Sequence, residues 1–112
     1  MIDEVYDIEV GKKGKGKKLI PVDDSLGRGD VFPNVLLIET AAQLSGIVSG
    51  RKQGGFFAGL RNISFHKGVR AGDTVHISSE MKGAFGGLYS FNVTASCEGE
   101  AVLEGELFLA LA

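Results

Sequence analysis

Apolar residues alternate near the start of the chain, at Val5, Ile8 and Val10 with one slip, and resume at Leu19, Ile20 and Val22 after a run of lysines and glycines. A period of two marks a half-buried strand, so Asp3 to Val10 and the segment from Leu19 read as two strands around a flexible turn. Asp23 to Asp30, DDSLGRGD, mixes two glycines with polar side chains and predicts a loop. From Pro33 and Asn34 onward, apolar and small residues run to Gly50, with proline at the start and glycine at the end of what reads as the single helix. Gly54 and Gly55 separate it from FFAGLRNISFHKG, where Arg61, Ile63 and Phe65 alternate with Asn62, Ser64 and His66. The last third reads as strands Thr74 to Lys82, Leu88 to Cys97 and Ala101 to Leu111, divided by GAFGG and by Glu98 to Glu100. Strand, strand, helix and four strands, with no crossover helices, exclude a parallel sheet. The fold class is α+β: one long central helix wrapped by a curved antiparallel sheet of about six strands, in a single domain over residues 1–112.

At 100° per residue, Leu37, Ala41, Leu44 and Val48 form one helical stripe suited to the concave face of such a sheet. Val35, Ile38, Glu39, Ala42, Gly46 and Ser49 form another, with Leu36 and Ile47 between them. A helix apolar on nearly every side must be enclosed.

Composition narrows the function classes. A chain of 112 residues, 44% hydrophobic and 23% charged with a formal net charge of −2, is an ordinary globular domain and not a nucleic-acid binder. One cysteine, Cys97, excludes an internal disulfide and a multi-cysteine metal site, and suits the cytoplasm. The acidic, alternating start and the lack of a long apolar run argue against export and membrane insertion.

Glu39 is the main chemical clue. A carboxylate buried in an apolar helix costs several kcal/mol unless it is paired or protonated, and proteins bear that cost most often where the group works, as a general acid for instance. The plainer alternative is that Glu39 reaches the helix surface and bonds Gln43 one turn on. His76 sits opposite the apolar face of its strand and reads as solvated. His66 shares a polar face with Asn62 and Ser64 and could reach a site. Lys12 to Lys18, KKGKGKK, holds five of the twelve basic residues and reads either as a docking patch for an acidic partner or, more plainly, as a solvated hairpin tip. Cys97 has no basic neighbour in sequence to lower its pKa. No metal or cofactor motif is present.

At this point the residues meet a family. The run PNVLLIETAAQLSG followed by FFAGLRNISFHKGVRAGDTV resembles the hot-dog-fold dehydratases that act on β-hydroxyacyl groups carried by acyl carrier protein. Pro33, Val35, Leu36, Glu39, Ala42 and Gln43 match the first motif; Gly59, Asn62, Phe65, Lys67, Val69, Gly72 and Asp73 match the second. The resemblance implies that Glu39 protonates the hydroxyl leaving from C3 while a histidine of a partner subunit removes the C2 proton. It also implies that backbone N–H groups near Asn34 and Val35 hold the thioester oxygen, and that Gln43, Phe57, Ala58, Gly59 and Phe65 line the substrate. In the family that histidine stands eight positions before the helix-opening proline, and here the position is Ser25. A serine cannot act as a base at neutral pH without its own activator.

Four readings follow: a dehydratase of fatty-acid or related acyl-chain biosynthesis whose base comes from elsewhere, such as His66 or a loop aspartate; one half of a composite site in a heterodimer; a non-catalytic binder of acyl chains or acyl carrier protein; or a hot-dog thioesterase. The expected partners are an acyl carrier protein or coenzyme A thioester and further copies of the chain, as a homodimer or higher homo-oligomer.

Overall fold

The computed structural model describes residues 2–20, 34–50 and 55–111. Its elements are β1 (Glu4–Glu9), β2 (Lys13–Leu19), α1 (Asn34–Ser49), β3 (Gly55–Phe65), β4 (Thr74–Phe85), β5 (Leu88–Cys97) and β6 (Glu100–Leu111). The six strands form one sheet in the order β1-β2-β4-β5-β6-β3, every neighbouring pair antiparallel. The expected α+β hot-dog architecture is therefore present. The predicted loop Asp23 to Asp30, with Ser25, and the helix-opening Pro33 lie outside the described residues.

The helix packs chiefly on β4 and β2. Leu37, Ala41, Leu44 and Val48 are all buried to within 1% of their surface, as their common stripe predicts. They meet Val75 and Ile77 of β4 and Phe91 and Val93 of β5 in one apolar core. Complete burial of each large aliphatic side chain is worth about 1.5–3 kcal/mol. One polar contact crosses this layer. The Ser45 hydroxyl donates to the Ala41 carbonyl at 2.9 Å and lies 2.7 Å from the Ser79 hydroxyl, so Ser79 donates to Ser45 and both buried groups are satisfied. At the helix end Gly50 adopts φ 75° and its N–H reaches the Ile47 carbonyl at 3.0 Å, closing the last turn.

Two local expectations change. The run Lys12 to Lys18 is not a hairpin tip: from Lys13 onward it is strand β2, seated between β1 and β4. Gly14 and Gly16 face the helix side and are buried, and the alternate Lys13, Lys15 and Lys17 face the other way. Glycine is needed there because a Cβ at position 14 would run into Ile8 and come within 2.8 Å of Val48, while one at position 16 would run into Ile2 and approach the Glu4 carbonyl at 2.9 Å. With no apolar side chains on its inner face, the strand shows no apolar alternation.

The second change is on β3. Between Arg61 and Ser64 the pairing with β6 slips by one residue, and Asn62 takes φ 55°. This bulge turns Arg61 away from Ile63 and onto the outer face. There its guanidinium makes two 3.1 Å bonds to the Glu106 carboxylate and lies 5.4 Å from the centre of the Phe108 ring.

Candidate functional site

Glu39 is the only ionisable residue of α1. With Leu37 of the buried stripe as origin, it lies 200° round the helix, almost opposite the sheet. It is exposed, and so the expectation of a carboxylate buried within one chain is corrected. The reason is that the sheet encloses only one side of the helix, so that Ile47 as well is left 39% exposed. One turn on from Glu39, Gln43 Oε1 accepts the Ile2 backbone N–H at 2.7 Å, tying the start of the chain to the helix. Beside Glu39, half-buried Ala42 and Gly46 leave a shallow surface, and a Cβ added at Gly46 would meet open space.

Asn34 and Val35 form the first turn of α1, where N–H groups have no carbonyl four residues earlier within the helix. Their side chains, and that of Phe57, lie outside the described set. In the sheet, Phe57 pairs with Leu109 across the β3–β6 ladder, and Ala58 is the extra residue of a second irregularity before Gly59. Phe65 pairs with the buried Leu103 and Leu60 with the buried Leu107, so both belong to the helix-bearing face. Yet Phe65 is 42% and Leu60 38% exposed, because β3 is an edge strand and α1 lies mainly over β2 and β4.

The histidines are elsewhere. His66 Nε2 sits 3.7 Å from Glu104 Oε1, and Glu104 pairs with Ser64 and Thr94, all exposed on the face turned from the helix. His76 lies between Lys17 and Ser96 in the sheet, opposite in direction to buried Val75 and Ile77. Neither shares a face with α1. His66 therefore drops out as a base for Glu39 within the chain.

The lysines of β2 do not make a one-sign surface. Lys17 pairs with Glu4 at 3.3 Å, and Lys13 and Lys15 share a cleft of about 310 Å³ with Asp7, Glu9 and Ser78. Cys97 is buried at the end of β5, and burial, then the charges of Asp73 and Glu98, push its thiol up from the ordinary range. A thiol so placed is not a nucleophile. The site residue that the sequence left unremarked is Leu60, whose apolar exposure depends on its strand being an edge.

Among the described residues no helix is long and apolar enough to cross a membrane. No family model matches the chain. Curated relatives do. The 3-hydroxyacyl-[acyl-carrier-protein] dehydratase FabZ of Caldicellulosiruptor saccharolyticus is 35% identical over 121 aligned residues, spanning 99% of this chain and 86% of the relative. That of Bacillus subtilis is 32% identical with the same coverage. Solved structures share the fold: the dehydratase heterocomplex ApeI:P from Xenorhabdus doucetiae has a TM-score of 0.82 at 20% identity, covering 99% of this chain and 82% of that one. The protein smu.793 from Streptococcus mutans, bound to acetyl-CoA, gives 0.80 at 17% identity, covering 97% and 87%. With this identity over nearly its whole length, its helix and its sheet order, the chain belongs to the FabZ family of hot-dog-fold 3-hydroxyacyl-[acyl-carrier-protein] dehydratases.

Proposed function

We propose that the chain serves the dehydration of a 3-hydroxyacyl thioester, carried by acyl carrier protein or coenzyme A, and that Glu39 is the acid of that reaction. The observation that carries this reading is Glu39 itself, the lone ionisable group of a helix built from apolar and small polar residues, at the position to which the resemblance assigns the family's carboxylate. In the step, a base takes the C2 proton, the C2–H electrons form the C2–C3 double bond, and the C3–O bond breaks. Glu39 gives its proton to the departing oxygen, which leaves as water. Without that proton the leaving group would be hydroxide, which leaves badly. The negative charge building on the thioester oxygen would be met by the first N–H groups of α1, at Asn34 and Val35, which the helix dipole favours. Small residues at Ala42 and Gly46 give an acyl chain space beside the carboxyl, and Gln43, Phe57, Ala58, Gly59 and Phe65 would bound it. The working unit is an assembly of at least two hot-dog chains, since one chain leaves this helix face open.

Enoyl formation and thiol release from 3-hydroxyacyl thioesters, followed in parallel, test the reading. The expected outcome is enoyl product, reduced roughly 10²- to 10⁴-fold by Glu39→Gln, the usual worth of a general acid, with an unchanged circular dichroism spectrum. Full turnover by Glu39→Gln would place the acid elsewhere, and thiol release without enoyl product would replace dehydration by thioester hydrolysis.

A further inference from the structure

The dehydration step needs a base near neutral pH on the same side as Glu39, and the chain has two histidines in all. Both face away from α1: His66 stands against Glu104, and His76 is flanked by Lys17 and Ser96 on the outer face. Two copies of this chain would therefore bring two Glu39 carboxyls and no histidine from the helix-bearing faces. The surface next to Glu39 is nonetheless built to be covered. Leu60 and Phe65, opposite the core residues Leu107 and Leu103, are 38% and 42% exposed, and among the described residues the eleven-residue β3 that carries them bonds to β6 on one side only. An open edge with exposed apolar side chains on its inner face is a template for another strand.

From the placement of these groups we infer that the native partner is a second, non-identical hot-dog chain, docked along β3, which supplies the histidine that works opposite Glu39. The inference rests on the dehydratase reading and names its missing half. It commits to a different chain because self-pairing completes the surface but adds no imidazole, and a loop aspartate, ordinarily of pKa about 4, is a far weaker base. An imidazole is the fitting group, since its ordinary pKa near 6.5 lets it take a proton at neutral pH.

The test isolates the chain, tagged and at native expression, from its own cells and identifies what is bound to it in a defined ratio. The two chains are then made together and assayed on 3-hydroxyacyl thioesters of coenzyme A and of acyl carrier protein. Expected is an equimolar complex with a histidine-bearing hot-dog chain that forms enoyl product at least 10²-fold faster than this chain alone. Activity should be lost on Glu39→Gln, or on changing the partner's histidine, with the complex intact. Phe65→Asp should separate the two chains while each keeps its circular dichroism spectrum. A homodimer that dehydrates by itself and loses activity on Glu39→Gln would overturn the pairing and keep the proposed function. A heteromeric complex whose dehydration survives Glu39→Gln would overturn the role of Glu39 and keep the pairing. A native complex holding only copies of this chain, without activity, would overturn both.

Discussion

Gly105 sits on β6 opposite the bulge at Asn62, and a Cβ there would run into the Ile63 side chain, lie 2.8 Å from the Ile63 Cα and 3.0 Å from the Asn62 carbonyl. Two of those atoms are backbone, so the clash cannot be relieved by a rotamer change. Gly105→Ala is therefore expected to destabilise the fold by about 1–3 kcal/mol, as overpacking does, read as a lowered urea midpoint with an unchanged slope. The same substitution at Gly83, where an added Cβ meets nothing, serves as the control and should leave the midpoint within experimental error. Which glycines are structural in this sense could not be read from the sequence, where all seventeen serve equally well as turn signals. The distinction depends on which neighbour lies across the sheet.

Strand β2 makes the same point for a whole element. Lys13, Lys15 and Lys17 occupy its outer face, while Gly14 and Gly16 share the inner one with the buried Lys18, so the outer lysines and the glycines should respond in opposite ways to substitution. Lys15→Ala removes an exposed charge and is expected to change stability by no more than about 0.5 kcal/mol. Gly16→Val puts a branched side chain against Ile2 and the Glu4 carbonyl and should be far more costly, separating β1 from β2 before the rest of the sheet melts. Hydrogen exchange of the amides paired between β1 and β2 would show it, and uniform loss of protection across β4 to β6 would argue against it. The helix was legible because Leu37, Ala41, Leu44 and Val48 carry an apolar stripe of period 3.6, and β4 and β5 were legible because Val75, Ile77, Val93 and Ala95 alternate. β2 was not, because a strand that lies close to a helix uses glycine where others use valine. β4 also runs three residues past Lys82, to Phe85, since Gly86 and Gly87, with φ 58° and 84°, turn the hairpin by themselves. At the site, Glu39 could be found from sequence because a lone carboxylate interrupts an apolar run. Its exposure could not, because that depends on which side of the helix the sheet covers.

Across the whole molecule, the core is continuous from α1 through β4, β5 and β6, and Cys97 lies inside it at the end of β5, 3% exposed. Burial raises its thiol pKa, which keeps the reactive thiolate scarce at neutral pH, and packing keeps reagents out. Folding is therefore expected to suppress its alkylation by iodoacetamide by at least 10²-fold relative to the chain in denaturant, the thiolate being the nucleophile. If the domain unfolds as one unit, the labelling rate should rise with urea in parallel with the loss of the circular dichroism signal. Labelling that runs ahead of that transition would mean that the Cys97–Glu100 end of the β5–β6 hairpin opens separately. Raising the pH should speed labelling in the unfolded chain from the ordinary thiol range upward, while the native rate stays low to higher pH. The two curves then separate the contribution of burial to the pKa from that of access. The thiol is unused by the chemistry proposed for Glu39, so its protection measures the integrity of the scaffold that holds the helix, independently of whether a partner has covered the other face.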